Sequence, residues 1–94
     1  MSINLKDRFR TSLKYFRFLN KLSQEQVAEK ADVSNKYISD LENGKSCPSL
    51  QTIENIAKVF NIDPLELLTD KYYKEYATNN KKIDEIRGRL SHKK

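Results

Sequence analysis

Few side chains in this sequence have the type and spacing for covalent chemistry. Cys47 is the one cysteine and His92 the one histidine. Neither has a neighbour in sequence that would make a nucleophile, and no cluster has metal-ligand spacing. There is no glycine loop to cradle a phosphate, and the carboxylates are scattered as ordinary solvated charge. We therefore expect no enzyme, no catalytic residue, no metal and no cofactor. What remains is hydrogen bonding. Ser23-Gln24-Glu25-Gln26 and Ser34-Asn35-Lys36-Tyr37, followed by Ser39-Asp40, set out amides, hydroxyls and charged tips that match donors to acceptors on another surface.

Those groups need elements to hold them. The 94 residues, 37% of them hydrophobic, suffice for one domain with a single modest core. Apolar residues recur at spacings of three and four, which predicts an all-α fold. Leu5, Phe9, Leu13 and Phe16 mark a first helix from about Leu5 to Asn20. Ser-Gln-Glu-Gln at 23–26 is a capping box, in which the Ser23 hydroxyl takes an amide and Gln26 reaches back. The second helix that follows turns Val27, Ala28 and Ala31 inward. Asp32-Val33-Ser34 is a tight break: Asp tolerates a left-handed backbone, Val33 is an apolar plug and Ser34 caps the next helix. That third helix buries Ile38 and Leu41 and stops at Gly44. Ser49 caps a fourth, with Leu50, Ile53, Ile56, Ala57 and Phe60 as its stripe. Asp63-Pro64 opens a fifth, with Leu65 and Leu68 completing the core. The expectation is a compact five-helix bundle over residues 1–70, followed by a basic helical extension over 71–94 whose Ile83, Ile86 and Leu90 are interrupted by Gly88.

Two short helices joined by a three-residue break, the second polar on its exposed N-terminal half, have the form of a helix-turn-helix. The same pattern also fits an ordinary helical hairpin. At this point the chain resembles the lambda-repressor-like helix-turn-helix family, the Cro/cI or xenobiotic-response-element type. The resemblance lies in Leu-Lys-Tyr-Phe-Arg (13–17), Leu-Ser-Gln-Glu-Gln-Val-Ala (22–28), Val-Ser-Asn-Lys-Tyr-Ile-Ser-Asp-Leu-Glu-Asn-Gly-Lys (33–45) and Pro-Ser-Leu-Gln-Thr-Ile (48–53). Ile56-Ala57 and Asp63-Pro64-Leu65 to Leu68 extend it to about residue 70.

The resemblance implies roles position by position. Asn35, Lys36, Ser39 and Asp40 would face base edges, with Asn35 paired to adenine, Lys36 donating to guanine and Asp40 accepting from cytosine. Gln24, Ser34, Tyr37, Asn43 and Lys45 would lie along the sugar-phosphate backbone. Arg17 and Glu42 match a partly buried structural salt bridge. Some residues keep a second reading: Lys36 and Asp40, four apart, also make a solvated ion pair, and Gln26 is better explained as a cap. The family often has glycine where this chain has Lys21, Asp32 and Asn61, so three turns must form without it.

The resemblance further implies a regulator of transcription that binds double-stranded DNA as a homodimer. Two recognition helices would enter successive major grooves roughly 34 Å apart on a near-palindromic operator. Repression by excluding polymerase is its simplest use. A rival reading is a protein-interaction module such as an antitoxin, with 71–94 as the surface for a protein partner. Net charge, +5 overall, is divided: six Lys and Arg stand against Asp7 in residues 1–21, four Lys against nine acidic residues in 22–70, and eight Lys and Arg against three acidic residues in 71–94. An N-terminal arm, Lys6 to Arg10, therefore either adds phosphate contacts or merely aids solubility. Exposed-looking Phe18 and Leu19 are expected to meet Tyr72, Tyr73 and Tyr76, within one chain as an extended fifth helix or across a dimer. With no apolar run of membrane-spanning length and no signal-peptide pattern, the chain is expected to be soluble and cytoplasmic.

Overall fold

In the computed structural model the described residues are 4–71. They form four α-helices and one 3-10 turn, with no strand among them: α1 Leu5–Leu19, α2 Gln24–Ala31, α3 Asn35–Glu42, α4 Leu50–Phe60, and the turn Pro64–Leu67. The expected extension over 71–94, including Tyr72, Tyr73, Tyr76 and His92, lies outside the described residues apart from Lys71.

Each start is a cap written in the sequence. Asn4, Ser23, Ser34 and Ser49 stand in extended backbone, and each accepts an amide of the first turn of α1 to α4 in turn. At Ser23 the capping box is complete. The ends share a design too. Leu22, Val33, Lys45 and Ile62 each donate a backbone N–H to a carbonyl five residues back, those of Arg17, Ala28, Asp40 and Ala57. The residue just before each donor is left-handed: Lys21, Asp32, Gly44 and Asn61, with φ of 56°, 59°, 74° and 57°. These are Schellman closures, which normally favour glycine. Only α3 uses one. The other three are followed by Leu22, Val33 and Ile62, all packed on the core; after Gly44 comes Lys45, which is exposed. An apolar anchor thus accompanies every turn made without glycine.

The core gathers Phe9, Leu13 and Phe16 from α1, Val27, Ala28 and Ala31 from α2, Ile38 and Leu41 from α3, and Ile53, Ile56, Ala57 and Phe60 from α4. Phe16 and Phe60 stack with ring centroids 5.8 Å apart. Each large side chain so buried contributes about 1.5–3 kcal/mol.

Three expectations need correction. There are four helices, not five: Pro64–Leu67 is a four-residue 3-10 turn, closed by N–H bonds from Glu66 to Asp63 and from Leu68 to Leu65. So short a run cannot sustain an α-helix, and the tighter winding changes which leucine faces inward. Leu67 is fully buried against α1 and α4, whereas Leu65 is 71% exposed and Leu68 half-buried. Leu5 and Leu50, placed on apolar stripes by their spacing, are also exposed, since each sits in the first turn of its helix, beyond the core. Lys6 to Arg10 are not an arm but the first turns of α1. No helix among the described residues is long and apolar enough to cross a membrane.

Candidate nucleic-acid interface

The pair α2–α3 turns through Asp32, Val33 and Ser34. Val33 donates its N–H to Ala28 at 2.9 Å and packs its side chain on the core, which fixes the angle at which α3 leaves α2. Along α3 the residues divide by face. Ile38, Leu41 and Glu42 are buried. At 3.6 residues per turn, Asn35, Lys36, Ser39, Asp40 and Asn43 fall within a sector of about 140° turned the other way. Asn35, Lys36 and Asn43 are exposed; Ser39 and Asp40 are half-buried. A polar ridge on a rigid helix is what a major groove admits.

Some of these groups already have partners. Lys36 Nζ lies 3.0 Å from Asp40 Oδ2, with the lysine side chain 84% exposed. Asn43 Nδ2 donates to Ser39 Oγ at 3.3 Å. The Tyr37 hydroxyl is 3.4 Å from Thr52 Oγ1 of α4, and Thr52 takes a further bond from Ser49. Tyr37 is therefore fixed at the α3–α4 junction, while Ser34 Oγ is engaged by the Tyr37 amide.

Behind the ridge sits a network that spacing alone does not reveal. Arg17 reaches from α1 to Glu42 with Nε 2.6 Å and Nη2 2.9 Å from the two carboxylate oxygens. A third arginine nitrogen, Nη1, donates to the Leu22 carbonyl. Gln24, the first residue of α2, donates its side-chain amide to Glu42 Oε1 at 3.1 Å. Glu42 is 2% exposed, yet both its oxygens are bonded. One carboxylate thus joins α1, α2 and α3.

A second feature was also not visible from spacing. The stems of Lys6 and Arg10 lie over Gly44: a Cβ there would meet Lys6 Cε at 3.8 Å and Arg10 Cδ at 3.7 Å. The first turns of α1 therefore flank the α3–α4 loop that carries Asn43 and Lys45, and Arg10 also pairs with Asp7 at 2.9 Å. This neighbourhood comes from tertiary packing, and no local sequence signal announces it.

A helix-turn-helix family model matches residues 13–67, which include all of α2, α3 and α4. The chain belongs to the helix-turn-helix family. It is a DNA-binding transcription regulator of the lambda-repressor type. An uncharacterized HTH-type transcriptional regulator of Methanocaldococcus jannaschii is 43% identical over 53 residues, 56% of this chain and 80% of that one. The immunity repressor protein of Bacillus phage phi105 is 42% identical over 50 residues, 53% of this chain but only 35% of the repressor. Among solved structures, the restriction-modification controller protein C.AhdI from Aeromonas hydrophila superposes with a TM-score of 0.62 at 32% identity, covering 64% of this chain and 91% of that one.

Proposed function

We propose that this helix-turn-helix regulator represses transcription by binding a near-palindromic operator as a homodimer, with α3 of each copy in a major groove. The observation that carries the reading is the two-sided α3: Ile38, Leu41 and Glu42 lock one side into the fold while Asn35, Lys36, Ser39 and Asp40 are offered on the other. In this reading residues 1–70 are the DNA-binding domain and 71–94 an extension. The phage repressor among its relatives supports repression.

Asn35 reads adenine through its amide, and Lys36 donates to a guanine. The Lys36–Asp40 pair does not bar this. A surface pair four residues apart is worth at most about 1 kcal/mol, against about 1–3 kcal/mol for a good base contact. Opening it frees Asp40 for a cytosine amine. Gln24 has two amide N–H groups, and with one spent on Glu42 the other is available to a phosphate oxygen at the N-terminus of α2. Ser34, Tyr37, Asn43 and Lys45 follow the phosphate backbone and set register.

Selection of binding sites from random DNA tests the proposal. A two-fold symmetric consensus is expected, with Asn35→Ala and Lys36→Ala each relaxing preference at distinct positions. An unchanged consensus in both variants would remove α3 as the reader. Failure to enrich any sequence would remove operator binding itself.

A further inference from the structure

An apolar cleft of about 270 Å³ opens between the first turns of α1 and the start of α4, lined by Leu5, Phe9, Pro48, Leu50, Ile53 and Leu68. Lys6 and Cys47, both exposed, line it as well. Leu5 and Leu50 are the two stripe residues that fail to reach the core, 61% and 78% exposed. Their misplacement is explained if they are walls of a binding cleft rather than parts of the core. A cavity of about 150 Å³ holds one benzene ring, so this cleft has room for an aromatic side chain.

We propose that the occupant is the chain's own segment Tyr72–Tyr76, with a tyrosine ring entering the cleft. Continuity argues for it. Leu68 is itself a wall of the cleft, and Ser12 Oγ of α1 donates to the Thr69 carbonyl at 3.5 Å, so the last described residues lie beside the helix that forms the cleft. Along α1, Phe9 and Leu5 lie about 4.5 and 10.5 Å from Ser12. From Lys71, Tyr73 and Tyr76 reach roughly 7 and 17 Å when extended.

Composition agrees. Lys-Tyr-Tyr-Lys-Glu-Tyr at 71–76 places three rings directly after the described fold. A tyrosine buries its ring and keeps its hydroxyl at the wet edge. Phe18 and Leu19, at the far end of α1, stand out as exposed single side chains. The cleft instead offers apolar walls from α1, from α4 and from Leu68. A second copy is the competing occupant, but a segment tethered this closely acts at an effective concentration of about millimolar.

Cys47 makes the test direct, because it is the only cysteine in the chain and it lines the cleft. In the full chain, Tyr73→Cys and Tyr76→Cys each add one partner, and each is compared with the same variant carrying Leu50→Gln. Formation of the intrachain disulfide under mild oxidation is followed by non-reducing electrophoresis and mass. Because residues 47–71 are part of the described fold, the few residues beyond Lys71, and not the whole stretch from Cys47, set proximity, and the reference therefore keeps the same tail length. Docking predicts disulfide formation about tenfold or more faster in at least one variant than in its Leu50→Gln counterpart, with the far-ultraviolet spectrum unchanged throughout. Rates within about twofold of the Leu50→Gln counterpart in both variants overturn the proposal. Disulfides that form chiefly between chains also overturn it, and assign the cleft to a second copy.

Discussion

A carboxylate at 2% exposure needs its charge answered at close range, and Glu42 is answered by two nitrogens of Arg17 and one of Gln24. Arg17→Ala would leave a buried charge with a single amide donor. The expected loss is about 3–5 kcal/mol, as for other broken buried pairs, measured by urea unfolding. Replacing both residues by well-packed apolar ones should recover most of it. A milder case is set by the three left-handed residues. Lys21, at φ 56°, lacks the short polar side chain that helps Asp32 and Asn61 tolerate the conformation. Relief of about 1–2 kcal/mol of left-handed strain, less about 0.5–1 kcal/mol for glycine's greater freedom in the unfolded chain, makes Lys21→Gly stabilising by roughly 0.5–1 kcal/mol. Asn61→Gly should gain less. Thermal unfolding of the two variants side by side gives the order.

At the scale of elements, helix starts are the most legible feature, because a cap is a local event between one side chain and an amide three residues on. Ser23, Ser34 and Ser49 each mark their helix to the residue. The polar ridge of α3 is legible for the same reason, since its spacing and its cap lie in one short stretch. What the chain does at Pro64 is not, because four residues between α1 and α4 take the winding that packing permits. The spacing points to Leu65 and Leu68, and the buried residue is Leu67. This difference has a consequence in stability. Leu67→Ala should cost about 2–5 kcal/mol, while Leu65→Ala should stay within about 0.5 kcal/mol; denaturant midpoints of the two variants distinguish the 3-10 turn from a fifth α-helix. The Gln24–Glu42 bond and the approach of Lys6 and Arg10 to Gly44 were hidden for a related reason. Each joins residues far apart in sequence, and neither leaves a periodic trace.

Over the whole molecule, charge and recognition are separated. The stretch that carries α2 and α3 lies within residues 22–70, which are acidic on balance, whereas positive charge is concentrated in 1–21 and 71–94. On the proposed function, base-reading side chains work without a strong local field, and attraction to the polyanion is left to the basic ends. The fold brings one of those ends close to the ridge, since Lys6 and Arg10 lie over Gly44 beside the loop carrying Lys45. On the proposed binding mode these residues face phosphates flanking the operator. Each phosphate neutralised steepens the fall of log affinity with log salt by about 0.9. Lys6→Ala should therefore flatten that slope by about 0.9 and weaken operator and random DNA alike, leaving base preference intact. Arg10→Ala should do less, because Asp7 already answers part of its charge at 2.9 Å. Asp7→Asn releases Arg10 and should tighten binding to both DNAs. Titrations across a range of salt concentrations give all three slopes. A Lys6→Ala slope equal to that of the unaltered chain would confine DNA contact to α2, α3 and their loops.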